Sequence, residues 1–235
     1  MILNLPSTIL NISLFGSTSR DDSDINSDLD ILVVVANGTG KTSPDTVQDL
    51  VRREFGKDPS LSWYGKRKIR ALFESGDLFA WHLHLEARTL AGTSLQTLFG
   101  VPSDYKTALS DIDDLRRIAS SVEHTLTACS ANAVFELGVL YVCARNIAMA
   151  ASWRLAQAPS FGRNSPYDLP IPFPIAPKAY ELMLRCRMAS QRGIAPPDVS
   201  ASQVMEVQRD ILSWSRVVAC EVAKVEKADE QIPTI

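Results

Sequence analysis

Two apolar runs near the amino terminus are separated by a polar segment. The first run covers residues 9–15 and stops at Gly16-Ser17, and the second starts with Asp28 and Asp30 and continues to Val35. Both runs have the composition of buried strands, and the second is rich in β-branched residues. Because successive side chains of a strand point to opposite faces, Asp28 and Asp30 are predicted to lie on the same face.

The next part of the chain predicts helices and strands in alternation. A Ser-Pro pair at residues 43–44 predicts the start of a helix that ends at Gly56, and residues 66–74 predict a basic helix. Residues 61–64 and 78–88 predict strands, the second because apolar and polar residues alternate along much of it. This order predicts a small mixed sheet with helices on one side.

From residue 107 onward the apolar residues recur at helical spacing. Four long helices are predicted, over residues 111–127, 131–156, 177–192 and 202–226. A proline-rich stretch that also contains aromatic residues separates the second and third helices, and it predicts a loop packed on them. We therefore expect an α+β fold, with a mixed-sheet domain in residues 1–106 followed by an all-α helical bundle in residues 107–235.

Arg145 is a charged residue inside an otherwise apolar predicted helix. A buried arginine generally needs an anionic partner. We expect a structural ion pair with Glu136 or a nearby aspartate. The alternative is that Arg145 reaches toward a bound phosphate group.

Composition and charge limit which binding partners and which cellular compartment we expect for this protein. The formal net charge of −3 at pH 7 gives no general attraction to nucleic acid, so nucleic acid is not expected as a partner. The four cysteines form no CxxC pair and are expected to be buried free thiols. We recognise no signal peptide and no apolar run of membrane-spanning length, so we expect a cytoplasmic protein with no membrane partner. A homodimer is left open.

Asp28 and Asp30 are the first candidates for chemistry. Two carboxylates held close together repel each other, and a hard divalent cation such as Mg²⁺ relieves that repulsion. Gly16 allows a backbone to approach a phosphate, and Ser17 can donate a hydrogen bond to it. The pattern predicts a site for a metal and a nucleoside triphosphate. An acidic surface loop before a core strand is the less favoured alternative, because such a loop does not require aspartate on the strand itself.

A second glycine-rich segment invites comparison with the P-loop, because Gly40-Lys41-Thr42 follows an apolar strand. The P-loop requires a glycine five positions before Gly40, and that position is Val35. Pro44 also lies where the helix of a P-loop would already have begun. We therefore favour a flexible turn.

The whole arrangement resembles the nucleotidyltransferase superfamily of the DNA polymerase β type, and within it the minimal and aminoglycoside nucleotidyltransferases. The resemblance covers residues 9–35 and rests on Gly16-Ser17, a spacer, and Ser27-Asp28-Leu29-Asp30 at the start of an apolar strand. Arg20 also matches, with Ser19 in place of the usual alanine. The resemblance implies transfer of a nucleoside monophosphate from a triphosphate, most commonly ATP. It further implies that Asp28 and Asp30 hold Mg²⁺ and that Gly16, Ser17 and Arg20 bind the nucleotide.

These enzymes usually carry a third carboxylate on a later strand. The strand predicted at residues 61–64 is the expected place for this carboxylate. It contains Ser62 and Tyr64 and is preceded by Ser60, but it contains no acidic residue. Glu86 is our candidate for the missing catalytic carboxylate, with His82 and His84 on the same face of the predicted strand lining the acceptor side. The alternative is that all three lie on a solvent-exposed face.

Two functions therefore remain open. The first is Mg²⁺-dependent transfer to a hydroxyl of a small molecule or a protein. The second is a catalytically weakened nucleotide-binding or antitoxin-type interaction protein that lacks the third carboxylate.

Overall fold

A computed structural model of the protein describes residues 5–20, 28–38 and 43–230. Ser27 and the Gly40-Lys41-Thr42 segment lie outside these residues. The chain divides into two compact units, Met1–Lys106 and Thr107–Ile235.

The described residues of the first unit form four strands and four helices. Their order is β1 (Ile9–Phe15), β2 (Leu29–Val35), α1 (Pro44–Phe55), β3 (Pro59–Gly65), α2 (Lys66–Ser75), α3 (Leu78–Glu86), β4 (Arg88–Gly92) and α4 (Leu95–Phe99). The strands form one sheet in the order β3-β2-β1-β4, in which β2 is parallel to β3 and β1 is antiparallel to both β2 and β4. The mixed sheet predicted from the sequence is confirmed.

The two faces of this sheet pack against different helices. On β2, Ile31 and Val33 face one way and pack with Val47 and Val51 of α1. The alternate residues, Leu32 and Val34, belong to a second cluster with apolar residues of α2, α3 and α4. Helices therefore cover both faces, and the expectation that they would lie on one side is wrong. A strand that is apolar at consecutive positions must be buried on both faces.

The segment 78–88 is a second correction, because most of it is helical. Helix α3 begins after Asp77, whose carboxylate accepts a hydrogen bond from the backbone N–H of Phe79 at 2.8 Å. Its buried residues include Ala80 and Leu83, which are three positions apart, as on one face of a helix. Alternation over a few residues fits a strand and a helix equally well, and the N-cap decides between them.

The second unit is helical, as expected. It contains α5 (Ala108–Ala128), α6 (Ala133–Leu155), the short α7 (Ser165–Asp168), α8 (Pro177–Arg192) and α9 (Ala201–Glu230). Helix α6 packs against α5, α8 and α9, and Leu140, Ala144 and Ile147 on it are fully buried. Residues Ser130–Leu155 are long and apolar enough to cross a membrane, contrary to our expectation, but most of this segment is buried inside the unit. Burial on all sides requires the same composition.

The proline-rich segment packs on the helical unit as a loop. Arg145 of α6 donates hydrogen bonds to the backbone carbonyls of Phe161, at 2.7 Å, and Gly162, at 3.3 Å. The Phe161 side chain is buried. The contacts that the structure gives Arg145 are thus with carbonyl oxygens of this loop, where we had expected a carboxylate.

All four cysteines are free thiols, as expected, but they differ in burial. Cys143 and Cys186 are buried, whereas Cys129 and Cys220 are exposed. The expectation of burial therefore holds for only two of them.

Candidate functional site

A tight turn follows β1 and contains Gly16, Ser17 and Arg20. Gly16 has a φ of +75°, which glycine adopts without strain. Its carbonyl accepts hydrogen bonds from the backbone N–H groups of Ser19, at 3.1 Å, and Arg20, at 3.3 Å, and Arg20 also donates to the Ser17 carbonyl. These backbone bonds give the turn a defined shape.

The carboxylate of Asp30 lies directly against this turn. Phe15, the last residue of β1, pairs with Asp30 of β2 across the antiparallel ladder. A Cβ atom added to Gly16 would lie 2.8 Å from Oδ2 of Asp30, closer than real Cβ atoms approach other groups. Two features therefore require glycine at position 16: the positive φ of its backbone and the Asp30 carboxylate that lies against it.

Asp28 lies one residue before β2 and is exposed. Its backbone carbonyl accepts a hydrogen bond from the Thr18 hydroxyl at 3.3 Å, which connects the start of β2 to the turn. The turn, Asp28 and Asp30 thus occupy one neighbourhood at the end of β1 and the start of β2.

Strand β3 places serines beside Asp30. The parallel register pairs Asp30 with Ser60 and Leu32 with Ser62. Within the described residues, no group of three or more His, Cys, Asp or Glu side chains is arranged to hold a metal ion. Asp21, Asp22 and Asp24 lie outside those residues.

Glu86 occupies a different place from the one we expected. It is the last residue of α3 and not a strand residue, and its side chain is only 12% exposed. Its Oε2 accepts hydrogen bonds from Nη1 of Arg20 at 2.6 Å and from Nε2 of His82 at 2.8 Å. Glu86 is therefore brought to the turn, but it does not form a three-carboxylate group with Asp28 and Asp30.

Two opposing influences set the pKa of Glu86. Burial raises it, whereas the hydrogen bonds and charge interactions with His82 and Arg20 lower it. The net effect is a pKa below the ordinary value of 4.5. Glu86 is therefore an ionised, acceptor-only group near neutral pH, and Nε2 of His82 must carry the hydrogen in their contact.

The predicted common face of His82, His84 and Glu86 is wrong, because the segment is a helix. His82 and Glu86 are four residues apart and meet on one face, whereas His84 lies beside the indole of Trp81, with 5.6 Å between ring centroids. A role for Ser19 was not predicted from the sequence: its hydroxyl donates a hydrogen bond to the backbone carbonyl of Glu86 at 2.5 Å. The four-residue spacing of His82 and Glu86 was the available signal for their pairing.

Comparison with known protein families matches residues 3–88 to the nucleotidyltransferase domain. The match extends from before β1 to the first residue of β4, and so includes the turn, β2, β3 and α3. A search of curated proteins found no match. Nucleotidyltransferase domains transfer nucleoside monophosphates from nucleoside triphosphates and typically use a divalent metal. Residues 3–88 of this chain are therefore similar to the nucleotidyltransferase domain, the family that the Gly-Ser turn and the paired aspartates also indicate.

Proposed function

We propose that this chain transfers a nucleoside monophosphate from a nucleoside triphosphate, ATP being the first candidate, to a hydroxyl of a small molecule or a protein. The observation that carries the proposal is the contact between Asp30 and Gly16. A carboxylate that lies against a glycine, where no side chain blocks the approach of a phosphate, can hold a cation beside phosphate oxygens.

The residues of this neighbourhood suit Mg²⁺. Asp28 and Asp30 offer hard oxygen ligands, and Mg²⁺ is usually held by one or two carboxylates together with substrate phosphates. When bound, Mg²⁺ offsets the charge that develops on the phosphates during an in-line displacement.

The remaining roles belong to the turn. Gly16 leaves room for a phosphate at the backbone, Ser17 donates its hydroxyl hydrogen to a phosphate oxygen, and Arg20 supplies positive charge. In the reaction, the acceptor oxygen forms a bond to the α-phosphorus, the bond to the β-phosphate oxygen breaks, and pyrophosphate leaves. The proton of the acceptor hydroxyl passes to solvent water in the process.

The direct test uses nucleoside triphosphates labelled at the α-phosphate. Purified protein is incubated with Mg²⁺, each labelled triphosphate and an extract of small molecules and proteins, and label transfer is measured. The wild type should transfer label, and Asp30→Asn should abolish both transfer and Mg²⁺-dependent nucleotide binding. Asp49→Asn, the same change at an exposed position of α1, is the matched control and should change neither. Equal nucleotide affinity in Asp30→Asn and the wild type would refute the proposal.

A second candidate function is nucleotide binding with weakened turnover, as in an interaction or antitoxin-type protein. The observation in its favour is that Ser60 lies beside Asp30 on β3, the strand on which the family resemblance leads us to expect an acid. Nucleotide binding that depends on Asp30, with no label transfer to any acceptor, would favour this candidate over the enzyme.

A further inference from the structure

Glu86, at the carboxyl end of α3, binds the turn through both its backbone carbonyl and its side-chain carboxylate. The backbone carbonyl of Glu86 accepts the Ser19 hydroxyl at 2.5 Å, and the Glu86 carboxylate accepts Arg20 at 2.6 Å. Two consecutive residues of the turn are thus bound by a residue more than sixty positions later in the sequence.

His82 extends this contact to the other end of the turn. Its Nε2 donates to the Glu86 carboxylate, and its ring packs edge-on against Phe15, the residue that precedes Gly16, with 5.8 Å between ring centroids. His82 is itself only 9% exposed. Helix α3 therefore contacts the chain both before and after Gly16.

The position of the turn matters because Asp30 lies against it. Gly16 and the Asp30 carboxylate are already in contact, so a shift of the turn changes the space that a phosphate and a cation would share. Groups that bind a ligand must be held within about 0.5 Å of their productive positions. A bond between charged partners contributes more to such positioning than a neutral hydrogen bond.

A role as general base fits Glu86 less well. Its carboxylate accepts hydrogen bonds from two side chains, and a general base needs its lone pair directed at the acceptor proton. The most effective base has a pKa near the working pH, whereas the pKa of Glu86 lies below its ordinary value.

We propose that Glu86 is a positioning residue, which holds the Gly16–Arg20 turn against Asp30 through Arg20, Ser19 and His82 and so sets nucleotide affinity. This inference rests on the proposed function, because it assigns Glu86 a role in the same site. It predicts that loss of the Glu86 charge weakens triphosphate binding and leaves the rate of the bound complex nearly unchanged.

The test compares Glu86→Gln with the wild type and with Glu74→Gln, the same change at an exposed position of α2. Three quantities are measured: the Kd of Mg²⁺-ATP, the rate of label transfer at saturating ATP, and hydrogen exchange at the backbone amides of Ser19 and Arg20, which donate to the Gly16 carbonyl. Glu86→Gln should raise the Kd about tenfold and keep the saturated rate within about threefold. It should also speed exchange in the turn. Glu74→Gln should change none of the three.

A second set of variants tests whether Arg20 and Glu86 affect nucleotide binding through their shared hydrogen bond. Arg20→Met should raise the Kd at least as much, because Arg20 also supplies positive charge to the phosphates. The double variant Arg20→Met/Glu86→Gln should be little worse than Arg20→Met alone, because the Arg20–Glu86 bond is already lost in Arg20→Met. Fully multiplicative effects in the double variant would overturn the inference.

The outcomes separate this inference from the proposed function. A fall in the saturated rate of about a hundredfold at unchanged Kd would identify Glu86 as the base and overturn the positioning role. Unchanged exchange in the turn would also overturn it, even in an active transferase. If Glu86→Gln loosens the turn but the wild type binds no nucleotide, the proposed function fails, and with it the claim that the turn serves nucleotide affinity.

Discussion

Replacing Gly16 with alanine tests the contact on which the site depends. The change introduces one methyl group at a position with a φ of +75°, 2.8 Å from Oδ2 of Asp30. The left-handed conformation costs a non-glycine residue about 1–2 kcal/mol. Ordinary van der Waals contact begins at 3.4 Å, so the carboxylate must also move by roughly 0.6 Å.

Gly56→Ala separates the cost of the left-handed backbone conformation from the effect of displacing the Asp30 carboxylate. Gly56 follows α1 with a φ of +64°, and nothing lies within 4 Å of the position that its Cβ would take. The backbone conformation should therefore cost each variant about 1–2 kcal/mol of unfolding free energy in urea titrations, and Gly16→Ala should lose more than Gly56→Ala because the Asp30 carboxylate must also move. Only Gly16→Ala should also weaken Mg²⁺-ATP binding, by about ten- to a hundredfold, because displacements below 1 Å are costly at such sites.

The measurement is a pair of titrations on each variant, one with urea and one with Mg²⁺-ATP. If Gly16→Ala and Gly56→Ala bind nucleotide equally well, the contact between Gly16 and Asp30 has no part in binding, and the reasoning from geometry is refuted.

Three further predictions concern other parts of the molecule. Ser60→Asp, which adds an acid beside Asp30, should raise label transfer at least about tenfold if the missing carboxylate limits turnover, and an unchanged rate would reject that cause. Because the pKa of Glu86 is lower in the folded protein, its stabilising effect is complete above its ordinary pKa of 4.5 and is lost as the pH falls from there through the folded pKa. The difference in urea stability between the wild type and Glu86→Gln should accordingly be constant from neutral pH to about pH 5.5 and shrink below pH 4.5, and a difference independent of pH would contradict it. Burial raises the pKa of Cys143 to about 12 and that of Cys186 to about 11, so a disulfide reagent near neutral pH should modify only the exposed Cys129 and Cys220 before unfolding, and rapid reaction of all four would contradict the structure.

The sequence by itself determined the elements whose signals are local. The apolar runs of β1 and β2, the Ser43 cap and terminal glycine of α1, and the helical spacing of the second unit each depend on near neighbours in the chain. The Gly-Ser turn and its two aspartates were recognisable for the same reason, since they lie within one short segment. Local conformational preferences and apolar periodicity carry this information without reference to the rest of the fold.

Only the tertiary structure decided the partners of the site residues. Alternation over residues 81–85 did not distinguish a strand from a helix, and so Glu86 was assigned to the wrong element. The bond between Arg20 and Glu86 joins residues 66 positions apart, and the pairing of Asp30 with Ser60 depends on the register of two parallel strands. Periodicity specifies which face of an element is apolar, but contacts between distant polar side chains are set by how the elements pack, which no local pattern contains.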